Sequence, residues 1–316
     1  MAWHSRNGTG SEDTDEGGQG ARQRGLLAYA LLLFMGLAWG LAVALLKLAS
    51  ASGGHPIGLA FWQVCVSGSV MLVLSLRFFG PSWPRPSVLL FSGVCGAVGV
   101  TLPAVALFWA AIHLPAGIVA LAFAVMPLFT YLLSVCFRVD EGDRRRFFGV
   151  AVGLSAMLLV LLPESSLPAP GLIPWVLLTF AASFSMALEN FIAGGFRPKR
   201  ISSVQLSCGR QLGSVFLLAP AVWLTGTGLP LAEPWGTLQW AATGTGLLSA
   251  AAFTVLLYVI KTSGPIFASQ TAYIITLAGV AWGMLLFGER HSFYIWAALA
   301  LTLLSIFLVR PTNRQQ

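Results

Sequence analysis

Three charged side chains stand inside apolar runs, where charge is costly: Lys47, Glu189 and Arg210. Placing such a group at the centre of a spanning helix costs about 2.5–3.5 kcal/mol on insertion scales, so it usually faces a cavity or a partner. Glu189 lies near the end of one apolar run and Arg210 a little inside the next, each roughly 8–9 Å from the same membrane surface at about 1.5 Å per residue. They are placed to pair. Two readings stay open: a salt bridge clamping a helical hairpin, or a proton-linked or amine-binding carboxylate at Glu189 with Asn190 beside it. Lys47 has two readings as well, a stem that snorkels to the interface or a cavity cation.

A second group is polar or aromatic without charge: Trp39, Gln63, Gln270 and Tyr273, all deep within apolar runs. An amide facing lipid there is poorly solvated, so each glutamine is expected to bond a neighbouring helix or a ligand. The glycines at 93, 96 and 99, and at 244 and 246, suit close helix packing.

Catalysis finds little support. His4, His55, His113 and His291 fall in the N-terminal tail or in loops, and the sequence spacing sets none of them beside a carboxylate or cysteine as a ligand pair. There is no HExxH, no nucleophile elbow and no phosphate loop. Cys65, Cys95, Cys136 and Cys208 are scattered singly, which indicates neither a zinc site nor a disulfide framework. No metal and no cofactor is expected.

The elements that would position these residues follow from composition. Of 316 residues, 57% are hydrophobic and 9% charged, where a soluble domain carries about a quarter charged. The mean hydropathy is +0.81. Such a chain is solvated by lipid. About 20 apolar residues cross the hydrocarbon, and the qualifying segments are roughly 26–48, 57–79, 88–112, 116–138, 147–163, 172–194, 204–225, 237–260, 265–287 and 293–310. The first 24 residues are polar and are expected to form a disordered cytoplasmic tail. No processing site follows the first apolar run, which is expected to be a retained span.

Lysine and arginine set the orientation. With the N-terminus inside, 15 of the 18 basic residues fall on the cytoplasmic side, including Arg144, Arg145 and Arg146 and the cluster Arg197, Lys199 and Arg200. Arg290 alone falls outside, and Lys47 and Arg210 lie within spans. The net charge of +7 is therefore a topology signal, and no nucleic-acid partner is expected. The chain also repeats: shifted by about 148 residues, the segment from Leu114 lies over that from Thr262, setting Glu141 on Glu289 and Ala120 on Ala268. Five helices per copy is odd, so the copies cross in opposite senses. Inverted repeats place transporter sites near the midplane at the repeat interface.

These residues resemble the bacterial EamA family of the drug/metabolite transporter superfamily. The likeness rests on Trp39, Gly40 and Lys47 in the first helix, and on Met126 and Pro127 in a fourth helix that closes on Glu141. It continues with Gly149 and Gly153 in a short fifth helix and Gly288, Glu289 and Arg290 after the ninth. It departs at Phe61, Trp62 and Gln63, where the family has an arginine after an aromatic, and at Ile274 and Ile275, where it has a proline. The resemblance implies an all-α integral membrane protein of about ten helices in two inverted five-helix repeats, 25–163 and 172–312. It also implies alternating access and solutes such as amino acids.

The function expected is therefore secondary transport, export or exchange, of a small metabolite across the inner membrane, with both termini cytoplasmic. Cavity candidates are Trp39, Lys47, Gln63, Glu189, Asn190, Arg210, Gln270 and Tyr273. The partners expected are a small-molecule substrate and the lipid bilayer, with a homodimer left open. The competing readings are an integral-membrane enzyme acting on a lipid-linked substrate, which lacks the clustered His, Asp or Glu it would need, and a non-transporting partner subunit.

Overall fold

The computed structural model describes residues 13–80, 86–137, 144–161, 171–196, 198, 201–231, 233–263, 268 and 271–309. Among these residues every regular element is helical. The helices are α1 (Asp13–Ala51), α2 (Pro56–Phe79), α3 (Pro86–Gly96), α4 (Leu102–His113), α5 (Ala116–Cys136), α6 (Arg144–Leu161), α7 (Ile173–Gly195), α8 (Ser203–Thr225), α9 (Thr237–Ser263), α10 (Thr271–Phe287) and α11 (Phe293–Val309). A π-turn, Ala97–Thr101, joins α3 to α4, and the three together form one span, so among the described residues the helical spans number ten.

Among the described residues six spans qualify for the membrane on length and composition alone, α6, α10 and α11 carry shorter apolar stretches, and α8, which bears Arg210, falls in neither group. Large apolar side chains cover the outer surface, with Phe216, Trp223 and Leu285 each at least three-quarters exposed. Water would not tolerate such a surface, and lipid does. One difference from expectation lies at the N-terminus: α1 runs back to Asp13, into the tail expected to be disordered. A helix already nucleated in the apolar span adds residues without a new nucleation cost, through the good formers Ala21, Arg22 and Gln23 and on past the poor formers Gly17, Gly18 and Gly20.

Packing follows a two-fold pattern. In one half α1 lies against α9 and α10, and in the other α7 lies against the α3–α4 span and α5. Three pairs meet their own counterparts: α2 with α8, α5 with α10, and α6 with α11. Close approaches repeat too. A Cβ on Gly96 would run into the carbonyl oxygen of Arg210, and one on Gly246 would come within 3.0 Å of that of Gln63. Gly246 follows Gly96 by 150 residues (246 − 96) and Arg210 follows Gln63 by 147 (210 − 63). With five spans per half, the axis relating the halves lies in the membrane plane.

Candidate functional site

The π-turn is where the site begins. Pro103 has no N–H to donate, so the regular ladder slips, and the N–H of Leu102 reaches back five residues to the carbonyl of Ala97. Carbonyls at this turn also accept from serines of the second repeat. Ser185 Oγ on α7 donates to Val98 O at 2.5 Å, and Ser214 Oγ on α8 donates to Gly96 O at 3.0 Å. The widened turn thus binds α7 and α8 at the same level.

At that level Arg210 Nη1 donates to Glu189 Oε1 at 3.2 Å, with side-chain exposures of 13% and 5%. The guanidinium carbon also lies 4.6 Å from the ring centroid of Phe253 on α9, and Phe253 meets Trp39 of α1 edge to face at 5.1 Å. Arg210 therefore ties α7 to α9, a pair that is not among the main helix contacts. The chain Trp39, Phe253, Arg210, Glu189 crosses the interior between the repeats. Around it several buried polar atoms have no partner: Nε of Arg210, Oε1 of Gln211, Oγ1 of Thr101, Oε1 of Gln63 and Oγ of Ser67. Buried polar groups left this way mark a place where a polar ligand gains most.

Of the eight expected cavity residues, the structure joins Trp39, Glu189 and Arg210 in this chain. Gln63 lies on α2 at the position equivalent to Arg210, so the first repeat presents a neutral amide where the second presents a cation. Tyr273 is half-buried on α10. Asn190 is exposed and donates to the Met126 sulfur at 3.6 Å. Lys47 neither snorkels nor joins the pair: its Nζ donates to Ala111 O at 2.6 Å, where the last carbonyls of α4 lack helical partners and favour a cation. Gln270 lies outside the described residues, as does Glu141.

Phe253 and the π-turn were missed. One phenylalanine among 21 carries no signal of type, whereas Pro103 in mid-span was a visible cue to a broken ladder. Four of the five expected packing glycines are closely covered, Gly96 by the Arg210 carbonyl, Gly99 by the Glu189 side chain, Gly244 by Leu45 and Gly246 by Val66, whereas a Cβ on Gly93 would meet nothing within 4 Å. A further pairing was not foreseen from the spacing of histidines: His291 Nε2 lies 3.4 Å from Glu289 Oε2.

Both halves of the chain, residues 26–162 and 173–310, match the EamA-like transporter family. The chain belongs to that family. It is 29% identical over 129 residues to a probable terminal-alkyne amino-acid exporter of Streptantibioticus cattleyicolor, covering 39% of this chain and 43% of that one. The uncharacterized inner membrane transporter YedA of Escherichia coli K12 is 27% identical over 204 residues, 62% of each chain. The protein PecM of Dickeya dadantii is 31% identical over 119 residues, covering 37% of this chain and 40% of PecM. The match spans less than two thirds of each of these relatives. A solved crystal structure shares the fold, with a TM-score of 0.60 at 17% identity over 91% of this chain and 97% of that one.

Proposed function

We propose that this protein is a secondary transporter that exports or exchanges a small metabolite, such as an amino acid, by alternating access across the inner membrane. Both termini face the cytoplasm in this reading, as the distribution of lysine and arginine requires. One observation carries it: a buried carboxylate and guanidinium meet between the two repeats, ringed by polar atoms without partners. A zwitterionic solute presents the complementary charges, an ammonium for Glu189 and a carboxylate for the free Nε of Arg210. The exporter name carried by one relative and the transporter name carried by another support the same class.

The test is uptake or counterflow in proteoliposomes with a panel of labelled amino acids. Glu189→Gln is expected to abolish transport while the protein stays folded and abundant. If the pair is only a clamp, Glu189→Gln/Arg210→Gln restores transport, because removing both charges avoids the about 3–5 kcal/mol cost of one left unpaired. Wild-type vesicles that move no solute of the panel in either direction would count against the reading itself. Reporter fusions near Glu233 and at Gln316 should read outside and inside.

A further inference from the structure

A second cluster joins the repeats at the N-terminal end of α5. Glu289, in the turn after α10, accepts the N–H of Ala116 on Oε1 at 2.5 Å and that of Gly117 on Oε2 at 3.0 Å. These are the first amides of α5, which have no acceptor in their own helix and sit at the positive end of its dipole. His291 Nε2 lies 3.4 Å from Oε2, and the two side chains are 3% (His291) and 9% (Glu289) exposed. Two glycines make the cradle. A Cβ on Gly117 would come within 2.6 Å of His291 Nε2, and one on Gly283 would run into the Glu289 carboxylate.

The turn between α4 and α5 is thus held twice. Lys47, from its own repeat, closes on the end of α4, while Glu289, from the other repeat, closes on the start of α5. The second hold crosses the junction of α5 with α10, where the halves must part if one mouth is to open.

We propose that Glu289 and His291 form a proton-strengthened latch on the outer mouth, and that Glu289 leaves the α5 amides whenever that mouth opens. The proposal rests on the alternating-access reading and its orientation, which put this end of α5 outside. The charged and titratable groups on the surrounding elements are Lys47 on α1, His113 at the end of α4, Arg290 and His291 in the turn itself, and Tyr294 on α11. The α5 end presents backbone amides alone. His113 is stacked on Trp175 of α7 at 3.8 Å, and Arg290 is exposed. His291 is the titratable group in direct reach of the carboxylate, and histidine is the side-chain type that changes charge between about pH 5 and 8. A cationic His291 adds a charge-assisted hold on the carboxylate that the neutral ring does not.

The experiment measures the outer mouth without any solute. Spin labels at Ile112→Cys and Phe293→Cys, both exposed positions, report the distance between the two turns in full-length protein in nanodiscs. Cys65→Ser and Cys136→Ser remove the more accessible native thiols. Between about pH 5 and 8 the ratio of short to long distances is expected to fall about tenfold in the wild type. His291→Gln should flatten that dependence, and Glu289→Gln should favour the long distance at both ends of the range. Should Glu289→Gln not fold, the wild-type titration and His291→Gln decide alone. A wild-type distribution indifferent to pH, or one whose response survives His291→Gln, overturns the latch. Transport with such an indifferent mouth overturns the latch and leaves the proposed function standing, whereas a responsive mouth in a protein that moves no solute does the reverse.

Discussion

Gly99 of the π-turn is covered by the aliphatic stem of Glu189 so closely that even a methyl group has no room there. The glycine sets the position of the carboxylate, because any side chain at 99 must push Glu189 off Arg210. Gly99→Ala is therefore expected to cost about 1–3 kcal/mol by overpacking and to lower transport sharply. Gly93→Ala is the control. Nothing lies within 4 Å of a Cβ there, so it should be neutral or mildly stabilising through helix propensity. Thermal unfolding in detergent measures both, and equal losses in the two variants would refute the argument.

Phe253 carries the cationic side of the pair. Its ring supports Arg210 on one face and meets Trp39 on another, so Phe253→Leu keeps most of the volume while removing the ring. The expected cost is about 0.5–2 kcal/mol, the range of cation–π contacts from exposed to desolvated sites. A transport assay should show a weakened half-saturation constant as Arg210 loses its orientation. Trp39→Leu should be milder in transport, since that ring reaches Arg210 only through Phe253.

Glu189 and Arg210 were legible in the sequence because a charge within an apolar run is rare and needs a partner; the partner lay 21 residues away on the adjoining helix. Lys47 was equally conspicuous, yet its role was not. Its acceptor is a backbone carbonyl 64 residues off, and every residue has a carbonyl, so no side-chain type betrays the contact. The spans could be read from apolar length and turn chemistry. The two-fold relation could be read from charge bias, although the residues that embody it, Gln63 with Arg210 and Gly96 with Gly246, differ enough in type or offset to be seen only in space.

Lys47 gives a prediction that separates structure from transport. Lys47→Met should lose the bond to Ala111 and the favourable charge at the end of α4, an effect of about 0.3–2 kcal/mol. Lys47→Arg should recover much of it. Neither change should move the half-saturation constant for a solute at the Glu189 and Arg210 site. A large shift in that constant at unchanged stability would place Lys47 in the solute path after all.

The last prediction concerns acid and follows from Glu289. Burial pushes its carboxyl up, but the neighbouring His291 and the N–H groups of Gly117 and Ala116 outweigh burial and hold it below the ordinary carboxylate value. A group whose value is lowered by folding contributes stability that is fully present above its unfolded value and is lost as pH falls through the folded one. The wild type should therefore unfold at lower temperature as pH drops below the ordinary glutamate range near 4.3. Glu289→Gln should be less stable near neutrality, because the amide offers one acceptor oxygen to two N–H donors and turns its own NH2 toward the second. Its stability should also change less with acid than that of the wild type, so the two melting curves converge as pH falls. Thermal unfolding followed from neutral to acid pH measures this directly. Parallel curves, with the variant displaced by the same amount throughout, would mean that Glu289 carries no special charge in the folded protein.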